Sequence, residues 1–270
     1  MQKLFAASVL VLSLAAAPAF AQAFPPNAMG VANGHWHLNS KDPEANKKIF
    51  VAMGGRAIKR GDAEVVLFPG VVVFLQRGMP VTSTGGSVGT VVNHVGFIVQ
   101  NVQEQTAKWR AAGVTVEPGG NGRLDQAYVN TPDGLRIEIL EDKNQPWPIR
   151  SEHVHFNATE AEIPKMQAWY VKEFGGRAWT RNNAPVVDIP GVQLRFAKVD
   201  KAQLPTSSRT LDHIGFDVRN LDAFLKKLAA DGVKIEQPYT KNEQTGAALA
   251  FVSDPWGTLI ELNDRPIPIQ

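Results

Sequence analysis

The 270-residue chain contains no cysteine. That absence excludes a disulfide framework, a thiolate nucleophile, a thiolate metal ligand and a lipid-bearing cysteine together. It has no long run of Lys or Arg, and its formal charge is +2. Charge therefore gives no reason to propose nucleic acid or an anionic membrane as partner. After the first residues no apolar stretch approaches the roughly 20 residues of a spanning helix, so no stable membrane anchor is expected. Charged residues make up 20% and hydrophobic residues 44%, which excludes a disordered chain and allows a sizeable core. The partner left by these exclusions is a small molecule.

The N-terminus is patterned differently from the rest. Lys3 supplies a positive start, Leu4 to Ala17 an apolar run too short to span a bilayer, and Ala19-Phe20-Ala21 a small-residue cleavage site. Residues 1–21 thus read as a signal peptide cleaved near Ala21, which implies a periplasmic or secreted protein, and the lack of cysteine suits such a compartment. Residues 22–32 read as a linker, with the Pro-bearing Phe24 to Met29 stretch expected to be loosely ordered.

The remainder is repetitive. Four segments begin alike: Gly34-His35-Trp36-His37-Leu38, Asn93-His94-Val95-Gly96-Phe97, Glu152-His153-Val154-His155-Phe156 and Asp212-His213-Ile214-Gly215-Phe216. Each is strand-like and leads through a polar turn into a helical pattern, for example Leu221, Phe224, Leu225 and Leu228. The helices stop at Gly54-Gly55, Gly113, Gly175-Gly176 and Gly232. Short β-rich runs follow, such as Glu64 to Phe68 and Val71 to Leu75, or Ala248 to Val252 and Thr258 to Leu262. Each unit is therefore βαβββ, and the chain is α+β. The offset from His35 to His153 differs by one residue from that between His94 and His213, which argues for duplication. The expected domains are 33–142 and 151–264, joined by a Pro-bearing linker at 143–150 and followed by a tail at 265–270.

All six histidines fall in the four strand starts. The unit-closing strands add one acid each in matching surroundings, Glu138 between Ile137 and Ile139 and Glu261 between Ile260 and Leu262. Such a carboxylate alone would be placed on a solvent face. The spacing from His94 to Glu138 is 44 residues and from His213 to Glu261 is 48, so the same residue types recur in the same order. Imidazole and carboxylate donors suit a divalent metal (Fe, Mn, Zn, Co or Ni), and three protein ligands leave positions open for substrate. His37 and His155 stand two residues after a ligand candidate, so they face the same side of the strand. An unperturbed pKa near 6.5 would suit them to proton transfer, or they could be buried scaffold. Gly96 and Gly215 stand at the same offset in the other strands and leave room for a substrate. Trp169-Tyr170 reads as core, while Tyr128 and Tyr239 could line a site or its rim.

These strand starts, glycine stops and Gly-x-x-Ile-Glu closings resemble the vicinal oxygen chelate superfamily, which includes glyoxalase I, extradiol dioxygenases and fosfomycin and bleomycin resistance proteins. The resemblance covers residues 33 to 264. It implies two tandem domains of paired βαβββ units, each a cupped sheet around a metal chelated by neighbouring substrate oxygens. Its ligands fall on His35, His94 and Glu138 in the first domain and on His153, His213 and Glu261 in the second. Glyoxalase-type members place a fourth ligand on the last strand of the first unit, where this chain reads Val73-Phe74-Leu75-Gln76 and Val192-Gln193-Leu194-Arg195 without a carboxylate. That departure favours dioxygenase-like chemistry over a glyoxalase-type lyase, and the alternative is a non-catalytic binding or resistance protein.

Overall fold

A computed structural model describes residues 24–61, 63–77 and 85–264. The signal-peptide expectation and the 265–270 tail lie outside the described residues.

Four βαβββ units follow one another. The first is β1 (Val31–Asn39), α1 (Pro43–Ala52), β2 (Arg56–Arg60), β3 (Ala63–Phe68) and β4 (Val71–Gln76). The second is β5 (Val92–Val99), α2 (Val102–Ala111), β6 (Val116–Pro118), β7 (Gln126–Asn130) and β8 (Arg136–Glu141). The third is β9 (Ile149–Ala158), α3 (Ile163–Phe174), β10 (Arg177–Arg181), β11 (Ala184–Ile189) and β12 (Val192–Lys198). The fourth is β13 (Leu211–Val218), α4 (Leu221–Ala230), β14 (Lys234–Lys241), β15 (Ala248–Ser253) and β16 (Leu259–Asn263). Local chemistry explains the helices: Asp42, Asn101 and Asn220 cap the first turns of α1, α2 and α4 through their side chains. The apolar stripe Leu221, Phe224, Leu225, Leu228 is the buried face of α4.

The pairing of units departs from their order along the chain. One eight-stranded mixed sheet has the order β14-β15-β16-β13-β1-β4-β3-β2, and the other β10-β11-β12-β9-β5-β8-β7-β6. The first and fourth units share a sheet, and the second and third share the other. The segments 33–142 and 151–264 therefore each contribute one unit to each sheet. The seam of each sheet is an antiparallel pair, β1 with β13 and β5 with β9. Strands at a seam need no crossover, so units distant in sequence can join there.

One apolar core lies between the sheets and under the helices. Trp36 meets Phe97 at 5.3 Å between ring centroids, Phe68 meets Phe97 at 4.6 Å, and Phe174 meets Phe216 at 5.0 Å. Alternation along β1 and β5 puts the histidines on the opposite, outward faces. The Phe24 to Met29 stretch is tied down rather than loose: Asn27 Nδ2 donates to the carbonyls of Phe174 and Gly175 at 2.8 and 3.1 Å, closing the end of α3. The Tyr170 hydroxyl, fully buried, donates to Asp254 Oδ2 at 3.0 Å and links α3 of one sheet to the turn before β16 of the other. Tyr170→Phe should lower stability by about 1–2 kcal/mol without changing bound metal; an unchanged melting temperature would show that the link does not hold the sheets together.

Candidate metal centres

The sites are built by four β-bulges. Asn33 pairs with Phe216 and His35 with Gly215, so Gly34 is an extra residue on β1; His37 pairs with His213 and Leu38 with Leu211, so Asp212 is an extra residue on β13. The other seam repeats this: Asn93 is extra on β5 and Glu152 on β9. Every bulge residue immediately precedes a site histidine. A bulge breaks strict alternation and re-aims its side chain, so a residue that should face away from the histidine can reach it.

The first centre gathers His35 from β1, His213 from β13 and Glu261 from β16. Glu261 Oε2 lies 3.2 Å from His35 Nε2 and 2.9 Å from His213 Nε2. Asp212, the bulge residue, receives the other ring nitrogen of His213 at 2.7 Å, and Asn263 Nδ2 donates to Glu261 Oε1 at 2.8 Å. Among the described residues His35 Nδ1 is buried without a hydrogen-bond partner, and the bulge position before it holds Gly34, which has no side chain to offer one.

The second centre gathers His94 from β5, Glu138 from β8, and His153 and His155 from β9, each offering a ligand atom within 4.8 Å of the others. Glu138 Oε2 lies 3.3 Å from His94 Nε2 and 3.0 Å from His153 Nε2. Gln126 donates to Glu138 Oε1, which also accepts from the Tyr128 hydroxyl at 3.4 Å. Asn93 meets His94 Nδ1 at 2.9 Å and Glu152 meets His153 Nδ1 at 2.5 Å. Arg181 and Arg195 hold Glu152 in turn, at 2.7 and 2.5 Å.

All six metal candidates are thus near a centre, but the histidines are exchanged relative to the resemblance. His35 joins the acid of the fourth unit rather than Glu138, and His153 joins Glu138 rather than Glu261. The cause is the seam, which sets β1 beside β13 and β9 beside β5. The glycines have a different role from the one expected. A Cβ on Gly215 would lie 2.0 Å from the His35 ring, and one on Gly96 would lie 1.9 Å from the His153 ring. The space is filled by the imidazole across the seam, not left for a substrate.

These donors fit a divalent metal. Nitrogen–oxygen separations of 2.9–3.3 Å match the edge of a polyhedron with bonds of about 2.0–2.2 Å. His153 Nε2 makes the point most directly: it is fully buried and close to Glu138 Oε2, yet the angle gives no hydrogen bond. Burial raises the pKa of Glu261, but His35 and His213 more than reverse this and hold the carboxyl ionised; Glu138 behaves likewise between His153 and His94. For His213, burial acts downward and is outweighed by Asp212 and Glu261, so its pKa rises. For His94, burial wins over Glu138 and the pKa falls.

His37 and His155 do face the centres, but neither keeps an ordinary pKa. Burial, then His213 and His35, lower His37 to about 3. Burial, then His94 and His153, put His155 well below the ordinary value. Both are neutral at physiological pH, and the lowered pKa makes each a weak base. They also differ: His155 belongs to a donor cluster, whereas His37 stacks against Phe74 at 5.8 Å and lines a cavity of about 380 Å³ with His35, Glu261, Arg60, Gln76 and Leu249. Phe74 pairs with His37 and Arg195 with His155 in the parallel registers, so the last strand of each half-sheet brings no fourth carboxylate.

Several site residues escaped the sequence reading: Asn93, Glu152 and Asp212 in the bulges, Gln126 and Asn263 beside the acids, and Arg181 and Arg195 behind Glu152. The usable signal was a polar residue immediately before three of the four histidines. Tyr128 lines the second centre, and Tyr239 is exposed.

A model of the Glyoxalase/Bleomycin resistance protein/Dioxygenase superfamily matches residues 152–262. Glyoxalase I from Zea mays is similar in fold at 16% identity and a TM-score of 0.69, over 87% of this chain and 92% of that one. A putative dioxygenase from Bacillus subtilis subsp. subtilis str. 168 is similar at 14% identity and 0.60, over 89% of this chain and 86% of that one. No curated protein matches the chain by sequence. The match to the superfamily model thus covers the third and fourth units, and the chain as a whole shares the fold of glyoxalase I.

Two outcomes follow from the first centre. Gly215→Ala should displace the His35 ring and cost metal at that centre; elemental analysis giving unchanged metal content would contradict the packing argument. Asp217, mostly buried on β13, has its pKa raised to about 7 by burial and then by Glu261. A raised carboxyl pKa gives a stability contribution that is present below the ordinary 3.8 and is lost as pH rises through 7. Asp217→Asn should therefore stabilise chelator-treated protein at pH 8 by on the order of 2 kcal/mol and change little at pH 3.5, as read by thermal melting.

Proposed function

We propose that this is an exported metalloenzyme acting on a small molecule with two neighbouring oxygens, with ring-opening dioxygenation, O2 being the oxidant, favoured over glyoxalase-type isomerisation. The observation that carries the reading is the first centre: two histidines and one carboxylate converge beside a cavity, with Phe74 where a fourth donor would stand. A two-His, one-carboxylate set with open positions is the donor set of non-haem iron oxygenases.

A divalent metal bound there would act as Lewis acid and template for the substrate's oxygens. The chain's own residues supply the rest. His213 is oriented by Asp212, Glu261 by Asn263, and the His35 ring is placed by packing over Gly215 across the seam. Neutral His37, at the cavity wall, offers a hydrogen bond to a substrate oxygen rather than a base, because its pKa lies far below working pH. Phe74, Ala248 and Leu249 offer apolar walls to a ring, and Arg60, Gln76 and Asn263 offer polar contacts.

The test is oxygen uptake by signal-free protein, reconstituted anaerobically with Fe, Mn, Co, Ni or Zn, over a panel of dihydroxyaromatic substrates. Turnover should fall by about 100-fold or more in Glu261→Ala. Substrate conversion without oxygen uptake would move the reading to a lyase or isomerase, and tight ligand binding without conversion to a sequestering protein. Export is checked separately: the N-terminus of the secreted or periplasmic protein should lie near Gln22.

A further inference from the structure

The two centres have similar seams but unequal donors, and the differences run in one direction. The second centre has four candidate ligand atoms and the first has three. Behind the second centre every histidine of the basic set is oriented: Asn93 takes His94 Nδ1 and Glu152 takes His153 Nδ1, with Glu152 itself clamped by Arg181 and Arg195. At the first centre, among the described residues, only His213 is oriented, because Gly34 occupies the bulge position that Glu152 fills in the other seam, and His35 Nδ1 is left without a partner. A side chain at that position would be crowded: a Cβ on Gly34 would lie 3.0 Å from Asp217 Oδ1 and 3.2 Å from the Gly215 carbonyl oxygen. The spare oxygen of Glu138 is held by Gln126 and Tyr128, while among the described residues that of Glu261 is held by Asn263 alone.

We propose that the chain carries two metal centres of different kind: a tight, four-ligand centre of His94, Glu138, His153 and His155, and a weaker, open three-ligand centre of His35, His213 and Glu261. The use of the open centre for chemistry rests on the function proposed above; the order of affinities does not. Orienting groups behind ligand histidines raise their basicity and fix their tautomer, and their loss costs about 10–100-fold in affinity. A fourth protein donor adds to that difference and removes a position a substrate would need. His155 is thus a ligand of the second centre, while His37, its counterpart, remains free to face the cavity.

The probe is cobalt(II) alone, titrated into chelator-treated mature protein and followed by visible absorption and equilibrium dialysis. Two classes of site are expected, separated by at least about 10-fold in affinity. The tight class should fill first and give the strong absorption of four-coordinate cobalt; the weak class should add little colour. His155→Phe and Glu152→Gln should each weaken only the tight class by about 10–100-fold, and His213→Ala should abolish only the weak class. Circular dichroism of each variant separates misfolding from ligand loss. One class of two equal sites, or loss of the weak class in His155→Phe, would overturn the proposal. Failure of every activity assay would leave this titration unchanged, so the two readings fail separately.

Discussion

The structure depends on two antiparallel seams between units, β1 with β13 from opposite ends of the chain and β5 with β9 from its middle. Each seam contains two bulges, one on either strand, and each bulge residue precedes a site histidine. Without the extra residue, Asp212 and Glu152 would project to the apolar face, where an ionised carboxyl is costly to bury. With it, they face the cup and orient imidazoles. The seam also opposes His35 to Gly215 and His153 to Gly96, so a ring from one strand lies over bare backbone on the other.

That arrangement couples folding to site formation. His35 lies near the start of the described chain and Glu261 near its end, and their centre exists only when the first and fourth units share a sheet. The apolar faces stabilise this sharing: Trp36, Phe68, Phe97, Phe174 and Phe216 form one core between the sheets, burying on one side of each seam what leaves the other side free for polar groups. The Tyr170 bond to Asp254 and the Asn27 cap on α3 add directional links across the same core.

Electrostatics at the centres follows from burial. Two carboxylates are kept ionised in nearly dry surroundings by flanking imidazoles, and the histidines respond according to what stands behind them. His213, backed by Asp212, rises in pKa, whereas His94, backed by the neutral amide of Asn93, falls. A neutral partner cannot offset desolvation as a charged one does.

Much of this was legible from residue order. The βαβββ units, the α4 stripe and the glycine stops are local signals, set by periodicity and backbone freedom within a few residues, and they give the α+β class directly. The six ligand candidates were also visible, because residue types recurring at matched spacing survive any way of folding the units. Which histidine meets which acid was not, since sequence fixes the members of a repeat but leaves open which units share a seam. Nor were the bulges, the orphaned His35 Nδ1 behind Gly34, or the depressed pKa of His37: each depends on register and burial between residues far apart in the chain. The tertiary structure decided these, because a one-residue offset at a seam determines which face of the sheet a side chain reaches.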